Sequence, residues 1–249
     1  MRRRFFVDAF EDDRAAMSGE AAHHLGRVLR AEAGQLYELS DGEHVRLGRV
    51  ERVSRDRVEF ALLEEVAACR PGIESTLLLS VVKFDAFEWA LEKATELGVG
   101  RVVPLAAARS EKALIAAAGK RSERWRKILL EASQQSRRVS VPALEAVTTP
   151  TEAFGARKEE LRVLLSERGG APGLKKVLDE ASHKADAVSL RIGARTAVLA
   201  IGPEGGWTDA EVDAARKAGF SEASLGRLIL RTETAVIAAL AAVNYALSN

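Results

Sequence analysis

The feature that most constrains the fold is an alternation that begins just after Pro71 and lasts to the end of the chain. Strand-like runs such as "TLLLSVV", "RVVP", "LRVLLS" and "TAVLAIG", with the shorter "ALEAV" and "ASLG", are separated by helical stretches at 85–99, 121–136, 151–157, 173–182 and 208–218; a last helix follows. Around the first of these helices, Phe84, Phe87, Leu91, Ala94 and Leu97 fall on one face. Strands separated by amphipathic helices predict a parallel sheet covered on both sides, an α/β fold for residues 73–249. Residues 1–71 follow another pattern. "RRFFV", "QLYELSDGEHVRLGRVERVS" and "DRVEFALLEE" read as half-buried strands, Asp41-Gly42 as a hairpin turn, and "GEAAHHLGRVLRA" as one interrupting helix. That module is expected to be a small, mostly β barrel, with Pro71-Gly72 punctuating the linker.

Composition excludes several classes of partner. The 249 residues carry 37 basic and 36 acidic side chains, a formal net charge of +1, so no global polybasic character announces a nucleic acid. Any such partner has to be read from local clusters. Cys69 is the only cysteine, which excludes an intramolecular disulfide and a Cys-rich zinc site. His23 and His24 are adjacent, without a matching carboxylate or thiol spacing, and make a poor metal site. No metal is expected. The absence of a long uninterrupted apolar run argues against a membrane span, and the chain is expected to be cytoplasmic.

The most glycine-rich turn, "IGPEGGW", comes in the last fifth of the chain, followed by "LGRLILRTETA". Thr208 and Glu211 form a capping box for the helix after the turn. A turn that leaves a parallel strand and opens a helix lies where open α/β sheets bind ligands. It is neither GxGxxG nor a Walker loop, and Glu204 would repel a polyphosphate while tolerating a cationic or zwitterionic ligand. Trp207 either covers such a pocket or staples the helix start.

These stretches resemble the SPOUT superfamily of RNA methyltransferases, and within it the RsmE family, which methylates N3 of a uridine in small-subunit (16S) ribosomal RNA. The resemblance rests on "RFFV" at 4–7, "HHLGRVLR" at 23–30, "LEKATELGV" at 91–99, Gln135 with Arg138, "IGPEGGW" and "LGRLILRTETA". It implies a parallel sheet with a C-terminal trefoil knot over residues 73–249 and a PUA-like RNA-binding barrel over 1–71. It also implies S-adenosylmethionine in the knot, held by Glu167, Gly202, Glu204, Gly205, Gly206, Leu225, Gly226 and Leu230. Three departures stand out. Lys83-Phe84-Asp85 replaces the usual Lys-Gly-Asp, Gln134 to Arg138 replaces Glu-Gln-Ser-Gly-Arg, and "LLSERG" lacks the usual His-Pro before its Glu.

For the chemistry, a guanidinium beside the target uridine would favour its N3 anion. Arg231 is the first candidate and Arg138 the second, while Glu233 either accepts the proton or caps the final helix. RNA contacts are expected from Arg4, His24, Arg30, Lys83, Arg124, Lys127 and Arg138. Lys120, Arg121, Arg124, Arg126, Lys127, Arg137 and Arg138 oppose only Glu123 and Glu131 over the same span, with Trp125, Ile128, Leu129 and Ala132 as the buried face. One of His23 and His24 is expected to pack the barrel; residues 2–4 serve RNA or merely solubility. Trp89 and Trp125 are expected in the core. The final helix is apolar nearly all round, which predicts a homodimer interface or burial within its own domain. Two other functional readings stay open: a methyltransferase of the same fold acting on another RNA or base atom, and a catalytically silent RNA-binding protein.

Overall fold

A computed structural model describes residues 3–188 and 195–247. The chain divides into two compact units, one of Met1–Arg70 with Leu130–Val141, the other of Pro71–Leu129 with Pro142–Asn249.

The first unit is a six-stranded mixed sheet in the order β1-β4-β5-β6-β3-β2. Its strands are β1 (Arg4–Phe6), β2 (Phe10–Glu11), β3 (Arg14–Ser18), β4 (Leu36–Ser40), β5 (Val45–Val53) and β6 (Arg57–Glu65). β1 pairs with β4 in parallel and the other pairings are antiparallel. Between β4 and β5 the Asp41 carboxylate accepts the N–H groups of Glu43 and His44, closing the expected Asp-Gly turn. The core gathers Phe5, Leu25, Leu39, Val50, Val58 and Phe60. The expected helix is α1 (Gly19–His23), continued by a π-helical turn over His24–Val28. β2 and β3 were not evident from the pattern: "RAAMS" has too few β-branched or aromatic residues to declare a strand.

The second unit is a six-stranded, wholly parallel sheet in the order β12-β10-β11-β7-β8-β9. It comprises β7 (Ile73–Ser80), β8 (Arg101–Leu105), β9 (Ala143–Leu144), β10 (Leu161–Leu165), β11 (Arg195–Ile201) and β12 (Ser221–Ala223). Leu77, Leu78 and Leu79 are all fully buried, as a strand covered on both faces requires. On one face α4 (Pro150–Gly155) and α6 (Asp209–Lys217) contribute Phe154, Val212 and Ala215 to a core with Leu78, Val198 and Ala200. The other helices are α2 (Phe84–Glu96), α3 (Lys112–Gln135), α5 (Leu174–Val188) and α7 (Thr232–Leu247). α7 lies on β11 and packs against α2 and α5. α3 starts at Lys112, well before the expected residue 121; the Ala-rich run ahead of Gly119 has high helix propensity but little periodicity. Trp125 is buried against Phe87 as expected. Trp89 corrects the expectation, being 44% exposed, because Phe87, Ala90 and Leu91 already occupy the inward face of α2.

Candidate functional site

Three loops at the carboxyl ends of β10, β11 and β12 enclose a cavity of about 320 Å³. After β10 come Ser166, Glu167 and Arg168; after β11, Gly202 to Trp207; after β12, Ser224 to Leu230. All eight residues expected to hold the cofactor line this one space: Glu167, then Gly202, Glu204, Gly205 and Gly206, then Leu225, Gly226 and Leu230.

Local chemistry fixes each loop. The Thr208 hydroxyl accepts the Glu211 N–H, and the Glu211 carboxylate accepts the Thr208 N–H at 2.8 Å, the reciprocal box that starts α6. The other Glu211 oxygen accepts the Ala108 N–H at 2.8 Å, and the loop after β8 is thereby tied to α6. Of the two roles left open for Trp207, the one observed is the pocket wall. The Trp207 ring packs on Phe154 in the core, and its Nε1–H donates to the Leu165 carbonyl at 2.9 Å. The Thr232 hydroxyl donates to the Gly202 carbonyl at 3.2 Å, joining the start of α7 to the loop after β11.

The glycines leave room where a ligand needs it. Gly226 has φ 132°, a conformation side chains rarely adopt, and a Cβ there would point into open space. At Gly202 an added Cβ would come within 3.1 Å of the Trp207 ring. The lining combines Glu167 and Glu204 with Arg109, Arg168 and Arg227, so both signs of charge face the same space. Arg109 donates to the Gly205 carbonyl at 2.7 Å, and Arg168 pairs with Asp209 at 2.6 Å. Such a lining suits a ligand carrying both an anionic and a cationic group, and therefore fits S-adenosylmethionine, with its carboxylate, ammonium and sulfonium. Sequence reasoning missed Arg109, and singled out neither Arg168 nor Arg227 although "LLSERG" and "LGRLIL" were expected around the cofactor; a lone basic residue in a loop gives no local sign that it faces a pocket.

Of the residues expected to act on the substrate, Arg231 is exposed at the entry to α7, and Glu233 is half-buried in its first turn. Arg138 belongs to the first unit, where its Nε donates to the Ser140 carbonyl at 3.2 Å and burial lowers its pKa to about 10. It therefore keeps its charge at neutral pH.

The expected RNA contacts fare unevenly. His24, Arg30, Lys83, Arg124 and Lys127 are exposed. Arg4 corrects the expectation: only 4% exposed, it pairs with Glu38 at 2.8 Å and donates to the Arg137 carbonyl, so it is neither an RNA contact nor a solubilising terminus. Arg2 lies outside the described residues. Neither histidine packs the barrel, because Ala22 and Leu25 point inward and leave His23 and His24 outside. The cations of the basic cluster do not simply fan outward. Arg121 and Arg124 both reach Glu88, at 3.4 and 2.7 Å, and the Arg121 guanidinium lies 4.5 Å from the centre of the Phe84 ring. Arg137 pairs with Glu38.

The late, loop-built cavity on a parallel sheet belongs to a recognised class of enzyme: a family model described as "RNA methyltransferase domain" matches residues 70–244. Ribosomal RNA small subunit methyltransferase E of Synechocystis sp. is 34% identical over 232 residues, covering 89% of this chain and 70% of that protein. The Bacillus subtilis protein of the same name is 32% identical over 234 residues, covering 92% of this chain and 89% of its own. The crystal structure of ribosomal RNA small subunit methyltransferase E from Neisseria gonorrhoeae bound to S-adenosyl methionine superposes with a TM-score of 0.84 at 29% identity, covering 98% of both chains. The chain belongs to the ribosomal RNA small subunit methyltransferase E family.

Proposed function

We propose that the protein transfers a methyl group from S-adenosylmethionine to N3 of a uridine in small-subunit ribosomal RNA, working in the cytoplasm. The observation that carries this reading is the convergence of three loops, distant in sequence, on one cavity of mixed charge. S-adenosylmethionine, when bound, supplies a methyl group on a positively charged sulfur. Backbone groups around Leu225, Gly226 and Leu230 hold the adenine, and the Glu167, Glu204, Arg109 and Arg168 side chains meet the charged groups. Arg231 stabilises the negative charge that spreads over uridine O2 and O4 once the N3 proton leaves. Glu233 takes that proton or serves α7 alone. Holding the nucleophile close and aligned supplies much of the remaining acceleration.

The first unit is the RNA-binding barrel of this reading, PUA-like in kind, with His24, Arg30 and Arg138 as contacts; Lys83, Arg124 and Lys127 add contacts from the second. The path of the chain supports a knotted C-terminus, since it leaves β12 at the sheet edge and α7 returns over the interior strand β11. Exposed apolar side chains support a homodimer: Leu228 and Ile229 are 81% and 80% exposed, and Tyr245 on α7 is 93% exposed. A monomer in sedimentation at micromolar concentration would remove the dimer from the reading.

Two measurements test the function. Titrating S-adenosylmethionine into the purified protein should release heat with one site per chain. Nucleoside mapping of ribosomal RNA from cells lacking the gene should show one 3-methyluridine missing from the small subunit. Loss of a different nucleoside redirects the reading to another target; no heat and no loss leave an RNA-binding protein.

A further inference from the structure

β4 buries two polar side chains on one face. Leu39 points into the core of the first unit, while Glu38 and Ser40, two residues apart and therefore on the opposite face, are 4% and 0% exposed. A buried carboxylate requires partners, and Glu38 has two. Arg4, directly opposite it across the parallel β1–β4 pairing, donates from Nη2 at 2.8 Å and Nε at 3.1 Å. Arg137 donates from Nη2 and, at 3.3 Å, from Nε. Two residues further on, the Ser40 hydroxyl donates to the Val139 carbonyl at 2.6 Å. The residues gripped, Arg137 and Val139, are the two neighbours of Arg138.

The backbone between them is unusual. Arg137 follows the last turn of α3 with φ 56°, the left-handed region where glycine is the ordinary occupant. That conformation lets the Arg138 N–H reach back to the Ser133 carbonyl at 2.9 Å, and it turns the Arg137 carbonyl toward the Arg4 guanidinium. An arginine here accepts backbone strain that a glycine would not. In exchange its side chain reaches Glu38, a contact no glycine could make.

From this we infer that β4 holds Arg138 in place for RNA contact, Glu38 acting through Arg137 and Ser40 acting through Val139, so that Arg137 and Ser40 are positioning residues. The inference rests on Arg138 touching RNA, as proposed above. The fixed guanidinium is already half-buried and shielded from water, so little reorganisation is left when a phosphate or base oxygen arrives.

Arg137→Gly separates positioning from mere structure. Glycine relieves the left-handed backbone, and Glu38 keeps Arg4, so the fold and its thermal midpoint should be preserved. Methylation kcat/KM for RNA should nevertheless fall about fivefold, with cofactor affinity unchanged. Ser40→Ala leaves the backbone of Arg137 alone and should lower the same quantity about threefold. The decisive readout is coupling: in the Arg138→Ala background neither change should lower kcat/KM further, since there is nothing left to position. Losses that multiply with Arg138→Ala overturn the inference, as does a parental kcat/KM for Arg137→Gly and Ser40→Ala while Arg138→Ala is impaired. If Arg138→Ala itself methylates normally, the RNA-contact reading of Arg138 falls and takes the inference with it.

Discussion

The cavity at the ends of β10, β11 and β12 is shaped by backbone turns and small residues, whereas the segment after α3 is shaped by long charged side chains. Within each cavity loop, the groups that shape it lie within a few positions of one another: a Pro-Glu-Gly-Gly turn with its capping box, and a second glycine turn. Around Arg137 the partners come from 99 residues away, Glu38 on another element, and Arg4 is 34 residues from that same carboxylate. The lesson is that a glycine turn declares its use locally, but an arginine does not. Its charge can be spent inside the protein or offered to a ligand, and only the fold decides which.

The first way to break this contrast is Arg231→Ala, because Arg231 is the arginine assigned to chemistry beside a glycine-built site. Losing a group that stabilises a developing anion should lower the single-turnover methylation rate roughly 100-fold, with RNA affinity nearly unchanged. The rate should be followed against pH at saturating RNA and cofactor. Removing a cation raises the apparent pKa of the uridine, so the deficit should shrink as pH rises. A parental rate across that range makes Arg231 structural and moves the search to Arg138 and Glu233.

Gly202→Val tests the cavity wall itself. The new side chain would drive into the Trp207 ring, 3.1 Å from where its Cβ must sit. Overpacking of this kind costs about 2 kcal/mol, and displacing the wall should weaken S-adenosylmethionine binding roughly 30-fold. Calorimetry with a folded variant that binds as tightly as the parent would show that this wall does not touch the ligand.

Gly205→Val is the milder version. Its Cβ would stand 3.2 Å from the Arg109 Cβ, an atom fixed to the backbone, so the loop that carries Arg109 has to give by a few tenths of an ångström. The expected loss of cofactor affinity is about fivefold. Glu204→Ala should lose less than that, as water screens the pairing of an exposed carboxylate with the ligand's charge; the reverse order would recast Glu204 as the main contact.

These cases show how much could be read in advance. The parallel sheet, the Asp41-Gly42 hairpin and the Thr208–Glu211 box were legible from hydrophobic period or from turns that few residue types can make, while the eight cavity residues were legible only through the resemblance to a known family. Trp89 was not, because helical spacing tells which residues share a face but not how wide the buried stripe is. Nor was Arg4, whose burial depends on Glu38 standing opposite it in the β1–β4 register. Arg109 reached the cavity unannounced, because nothing local to an arginine in a loop shows which space the fold will turn it toward.

The smallest expected effect is the sharpest test of the contrast, because it compares two cations on one helix. Arg124 pairs with Glu88 at 2.7 Å, so part of its charge is already neutralised within the protein. Arg126 is exposed two residues along. A cation that neutralises one phosphate contributes roughly 0.7 to 0.9 to the slope of log affinity against log salt. Arg126→Ala should lower that slope by close to the full amount and weaken RNA binding about threefold at moderate salt. Arg124→Ala should change the slope by less, since binding through Arg124 has to compete with Glu88, and removing it still leaves Glu88 paired with Arg121. Filter-binding measurements over a range of salt would resolve the two, with S-adenosylmethionine affinity as the control that neither variant should move. If Arg124→Ala flattens the slope as much as Arg126→Ala does, the ion pair with Glu88 gives way to RNA, and pairing inside the protein is no guide to which arginines a nucleic acid can claim.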